Sequence, residues 1–119
     1  MDEKLTRIYV CEADLKEGEM RGIKVENQWL LIVHYQNRYY ALDAACAHSG
    51  FPLFKGTLDA DGVITCGLHY AKFQCQTGAV VSDPPICENQ KTFKTEIKSG
   101  KVYWIKNQSS PPDQVRGRL

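Results

Sequence analysis

The chain has 119 residues, with 15 basic and 14 acidic side chains and a formal net charge of +1. That near-balance argues against a nucleic-acid or membrane-surface binder, which a clustered basic excess would mark, and it suits contacts with protein partners. The length is that of one domain, and a domain this small gains from an added staple such as a metal site.

In chain order, Arg7 to Val10 reads as a first strand. Ala13 to Gly18 reads as a helical turn or loop, and Met20 to Val25 as a second strand. Trp29 to Tyr35 is rich in β-branched and aromatic residues. It is followed by the polar pair Gln36-Asn37 and by Arg38-Tyr39-Tyr40-Ala41-Leu42, the pattern of a hairpin. The longest apolar run, Trp29 to Val33, suits a buried strand and is far too short to span a bilayer. Val63 to Thr65, Gly78 to Val81, Thr92 to Ile97 and Lys101 to Ile105 complete the strands, with a turn at Ser99-Gly100. Helix signals are weak, so the expected class is all-β. The segment from Ala45 to Pro85 holds most of the glycines and reads as a loop-rich insertion on that scaffold. The tail from Asn107 to Leu119 is polar, contains Ser109-Ser110-Pro111-Pro112, and reads as disordered.

The cysteines are Cys11, Cys46, Cys66, Cys75 and Cys87. An odd count, with no secretory signal visible after the charged Met1-Asp2-Glu3-Lys4, argues against a disulfide framework. A cytoplasmic protein is expected, and in that compartment cysteines beside histidines point to metal or redox chemistry. Two motifs have that form. Cys46-Ala47-His48 and Cys66-Gly67-Leu68-His69 each offer one thiolate and one imidazole in a tight turn, with 17 residues between His48 and Cys66. Two thiolates and two imidazoles suit a [2Fe–2S] cluster in which two histidines replace two cysteines on one iron. The neutral imidazoles make the site less negative and raise its reduction potential. Mononuclear zinc also accepts two Cys and two His, although common zinc fingers pair like with like, whereas here each motif mixes the two.

The surroundings of these motifs resemble the Rieske family. Cys46-Ala47-His48-Ser49-Gly50-Phe51-Pro52-Leu53 is similar to its first cluster loop, and Cys66-Gly67-Leu68-His69-Tyr70-Ala71-Lys72-Phe73 to its second. Thr77-Gly78 stands where the family has a turn, and Ser82-Asp83-Pro84-Pro85 resembles the proline loop that covers the cluster. The resemblance implies a Rieske fold: an antiparallel β-sandwich or barrel-like basal scaffold formed by residues 1–106, with a cluster-binding part at about 45–85. It implies Cys46 and Cys66 on the inner iron, and His48 and His69 on the outer iron near the surface. One departure is Tyr70, where the family usually has glycine. By the same resemblance, Phe51 and Leu68 stand where the respiratory branch keeps a disulfide, and Ala71 and Phe73 where it keeps two hydroxyl donors. Fewer donors to sulfur imply a potential at the low end of the Rieske range, about −150 to 0 mV.

A terminal oxygenase needs a second iron held by two histidines and a carboxylate, and only His34 is left over. The chain is therefore expected to be no enzyme by itself. It resembles the soluble ferredoxins that pass single electrons from a reductase to a terminal oxygenase or similar acceptor, without a small-molecule substrate. A small subunit of a nitrite-reductase-type complex and a zinc-stapled binding module remain the alternatives. His34 is expected to be a sheet residue with an ordinary hydrogen bond, and Cys11, Cys75 and Cys87 to be packing residues or, for Cys11, simply exposed. Tyr39, Tyr40, Tyr103, Trp29 and Trp104 are expected in the core or in cross-strand pairs. Phe51, Pro52 and Leu53 are expected to form an exposed apolar rim that docks the redox partner.

Overall fold

A computed structural model describes residues 5–47, 49–68, 70–82 and 88–107. His48, His69, Asp83, Pro84, Pro85 and Cys87 lie outside the described residues, as does the tail from residue 108.

The described elements are β1 (Leu5–Glu12), β2 (Met20–Val25), β3 (Gln28–Tyr35), β4 (Arg38–Asp43), a 3-10 turn (Leu53–Lys55), β5 (Thr57–Leu58), β6 (Val63–Thr65), β7 (Lys72–Gln74), β8 (Thr92–Phe93), β9 (Thr95–Lys98) and β10 (Lys101–Asn107). They form three antiparallel sheets, ordered β1-β10-β9, β2-β3-β4-β8 and β5-β6-β7. The turns Glu26-Asn27, Gln36-Asn37 and Ser99-Gly100 each have φ between 51° and 74° at both residues. That is the type I′ geometry whose twist matches the flanking strands, and Asn and Gly tolerate it best.

Strand β3 explains the longest apolar run. Leu30 and Ile32 enter one core with Val10, Cys11, Leu15, Ala41, Val102 and Trp104. Leu31, Val33 and Tyr35 enter a second core with Leu42, Ala44, Cys46, Leu53, Ile64, Cys66, Ala71, Phe73 and Cys75. Side chains alternate along a strand, so a continuous apolar sequence means that both faces of the sheet are covered. The first core joins the sheet to β1 and β10, and the second joins it to the segment carrying both cysteine motifs. In β1 the register shifts between Tyr9 and Cys11, and this bulge lets Val10 and Cys11 both be buried.

Several expectations are corrected. Gly78 to Val81 is not a strand but a single bridge between Phe73 and Val80. Its entry residue Gly78 has φ +77°, and the Val80 N–H donates to the Asn89 side chain (3.0 Å). Thr92 to Ile97 is not one strand. It breaks at Lys94, with β8 pairing with β4 and β9 with β10, so one short sequence ties two sheets together. Ala13 to Gly18 takes the loop form, one of the two expected, and is anchored where the Tyr39 hydroxyl accepts the Leu15 N–H and donates to the Leu15 carbonyl. Within the loop-rich segment from Ala45 to Pro85, the expected strand at Val63–Thr65 is β6, and two further short strands, β5 and β7, flank it. Asn107 closes β10 opposite Leu5 and so belongs to the scaffold. Tyr9 and Tyr103 form the expected kind of cross-strand pair, with ring centroids 6.2 Å apart, whereas Trp29 is half exposed and leans on Phe54.

Candidate metal centre

Two turns carry the cysteines, and they are built alike. In the first, the Cys46 N–H donates to the Phe51 carbonyl (2.9 Å) and the Gly50 N–H donates to the Cys46 carbonyl (2.7 Å). In the second, the Cys66 N–H donates to the Ala71 carbonyl (2.8 Å) and the Tyr70 N–H donates to the Cys66 carbonyl (3.1 Å). Each cysteine thus closes a loop through the residues four and five positions ahead. The residue four ahead is left-handed in both, Gly50 at φ +78° and Tyr70 at φ +63°.

This frame resolves the departure at Tyr70. The loop keeps the glycine-type path and Tyr70 bears the strain, which costs roughly 1–2 kcal/mol for a side-chain-bearing residue. Tyr70 is 71% exposed, so little packing offsets that cost. Tyr70→Gly should therefore raise stability by about 0.5–1 kcal/mol after the entropy of glycine is discounted. Urea denaturation of the two proteins measures it, and equal midpoints would show that the loop is unstrained.

Cys46 is 3% exposed and Cys66 fully buried, both within the second core. The Ser49 hydroxyl lies 3.7 Å from the Cys66 sulfur, so a residue of the first turn touches the cysteine of the second. The first turn runs on through the 3-10 turn to Gly56. A Cβ at Gly56 would collide with the carbonyl of Thr65, the residue before Cys66, and this close approach holds the two turns side by side. Two buried thiols on paired turns, with a hydroxyl beside the Cys66 sulfur, fit the inner-iron half of a two-Cys, two-His cluster. The histidine half, His48 and His69, falls on undescribed residues.

Ala71 and Phe73 are fully buried and bring no hydroxyl, as the sequence indicates. Sequence reasoning missed the donor that replaces them. With Cys66 as a thiolate, only Ser49 can donate across the 3.7 Å contact. Such a bond favours the reduced, more negative state, so its presence argues for a potential above the bottom of the range. Ser49→Ala should lower the potential by about 20–60 mV, the redox equivalent of one net hydrogen bond. A redox titration that finds no drop would remove Ser49 from the site.

Cys75 is buried, and that burial pushes its thiol up to about 11. Burial also raises the Cys11 thiol, with Arg21 opposing. Both stay protonated at neutral pH and act as packing residues; Cys11 is not exposed. His34 stacks on Tyr39, with ring centroids 4.4 Å apart, and its buried Nδ1 has no hydrogen-bond partner. The ordinary hydrogen bond expected of it is therefore absent at that atom. Leu53 is fully buried, so it does not belong to the apolar rim. Phe51 and Pro52 are half-buried, and Leu68 (46% exposed) and Tyr70 are the large exposed side chains on the second turn.

A family model described as Rieske [2Fe-2S] domain matches residues 6–102. The ferredoxin component of the naphthalene 1,2-dioxygenase system of Pseudomonas putida is 30% identical over 93 residues, which are 78% of this chain and 88% of that protein. Apoptosis-inducing factor 3 of Homo sapiens is 35% identical over 95 residues, 79% of this chain but 15% of that longer protein. A chain in the complex of reduced oxygenase and oxidized ferredoxin in carbazole 1,9a-dioxygenase superposes with a TM-score of 0.74. It is 33% identical and covers 82% of this chain and 91% of that one.

Proposed function

This chain belongs to the Rieske [2Fe–2S] domain family, and from that premise we propose that it carries single electrons from a reductase to a terminal oxygenase. One observation carries the reading: two buried cysteines, Cys46 and Cys66, close turns of the same hydrogen-bond pattern inside one core. One Rieske-type cluster is the cofactor, and when bound it supplies a one-electron couple and no bond chemistry on a substrate. Cys46 and Cys66 hold the inner iron in this reading, and His48 and His69 the outer one. The chain's own contribution is to orient these ligands, to keep water from the sulfur side with Leu53, Ala71 and Phe73, and to donate the Ser49 hydroxyl to Cys66.

The domain spans residues 1–107, with residues 45–85 as its cluster-binding part and the rest as the basal scaffold, which β10 closes at Asn107; its compartment is the cytoplasm. Phe51, Pro52, Leu68 and Tyr70 form the apolar rim on which the partners dock, and electron-transfer encounters use small contacts, below about 1,200 Å². Among the described residues no helix is long and apolar enough to cross a membrane.

His48→Cys tests the ligand set. An added thiolate makes the outer iron more negative, so a cluster that still assembles should lose on the order of 100 mV of potential. An unchanged potential would show that His48 is not a ligand. A colourless protein carrying one zinc, with no EPR signal after reduction, would end the electron-carrier reading in favour of a zinc-stapled module.

A further inference from the structure

Gln90 is the one buried polar side chain among the described residues, at 3% exposure. Burying a carboxamide is costly unless its hydrogen bonds are made, so such a residue calls for an explanation. Its Nε2 donates to the carbonyls of Asp43 and Ala45, each at 2.6 Å. Its Oε1 accepts the Ala47 N–H at 2.8 Å. Its own N–H donates to the Gly78 carbonyl at 2.6 Å, and the adjacent Lys91 carbonyl accepts the Asp43 N–H. The Ala45 carbonyl belongs to the peptide before Cys46, and the Ala47 N–H to the peptide after it. One side chain therefore pins both peptide planes that meet at the Cys46 Cα.

The same contact commits a donor. A backbone N–H is a single donor, and the Ala47 N–H is spent on Gln90. It is the first donor after the Cys46 ligand, and it is withheld from the neighbouring sulfur. Hydrogen bonds to sulfur raise the potential of such clusters, so withholding one lowers it.

We propose that Gln90 is a positioning residue for the cluster, setting the direction of the Cys46 thiolate and holding the Ala47 N–H away from sulfur. The proposal rests on the cluster reading above, so wild-type protein must first show the cluster's absorbance and its EPR signal when reduced. Failure at that step overturns the cluster reading, not the Gln90 contacts.

In cluster-bearing protein the test compares Gln90→Leu, Gln90→Glu and Val102→Ala. The last removes buried volume from the other core and reports stability loss alone. The readouts are midpoint potential, EPR g-values and the rate of cluster loss to an iron chelator. Gln90→Leu frees the Ala47 N–H, so its potential should rise and its g-values move. Its cluster loss should be about tenfold faster, roughly the factor that one net hydrogen bond supplies. Gln90→Glu keeps the volume and the acceptor but sets a carboxylate against two carbonyls. It should lose its cluster faster without any rise in potential. Val102→Ala should leave the potential unchanged. The proposal is overturned if Gln90→Leu matches wild type in potential and g-values, or if Gln90→Glu raises the potential as Gln90→Leu does. Should Gln90→Leu fail to fold, Gln90→Glu decides: cluster retention equal to wild type overturns the proposal.

Discussion

Cys66→Ser should yield a chain that carries neither iron nor labile sulfide. Cys66 is fully buried and closes the second turn through Ala71 and Tyr70. A serine oxygen has nearly the same shape but is a hard, weakly acidic donor, and soft thiolates are what hold iron–sulfur clusters. The serine also places a hydroxyl in an apolar core at a cost of about 1–3 kcal/mol, which the neighbouring Ser49 hydroxyl offsets only in part. Iron and sulfide analysis together with the visible spectrum measures the outcome. Cys75→Ala is the matched control: it alters an equally buried thiol of the same core and should keep the full cluster. If both variants lose the cluster alike, burial in this core rather than ligation is what matters.

Gly78→Ala should lower stability by about 2–5 kcal/mol. The left-handed φ of +77° costs roughly 1–2 kcal/mol once a Cβ is present. The new Cβ would also collide with the Gln90 carbonyl oxygen, and such overpacking costs about 1–3 kcal/mol more. Out of a total that is about 5–15 kcal/mol for a domain, this is a large share, and the melting temperature should fall by at least about 10 °C. The effect should also reach the metal centre, because Gln90 is displaced and its three side-chain bonds tie down the Cys46 turn. Thermal melts and chelator challenge should change together. A variant that melts like wild type would mean that the backbone at Gly78 has room to move.

Much of this protein is legible locally. A polar pair with Asn between apolar runs makes a type I′ turn wherever it stands, so the Gln36-Asn37 hairpin follows from its own few residues. The candidate ligand motifs are local too, since each is a cysteine and a histidine two or three positions apart in the sequence. Ala71 and Phe73 are local to the second loop, while the hydroxyl that touches the Cys66 sulfur comes from the first, and a contact between two loops leaves no mark within either.

The sequence by itself determined the all-β class, the hairpins and the four candidate ligands, because each depends on side-chain period, turn chemistry or donor type within a few residues. Only the tertiary structure decided the rest. Leu53 is excluded from the proposed docking rim because a 3-10 turn points it into the core, whereas Leu68 and Tyr70 stand exposed. Thr92 to Ile97 became two strands because β4 and β10 compete for it from different sheets. Gln90 reads as an ordinary polar residue between Asn89 and Lys91, and it became the clamp on Cys46 only because folding brings Asp43, Ala45 and Ala47 to it. Contacts more than forty residues apart leave no periodicity in the chain, since they depend on which faces the sheets present to one another.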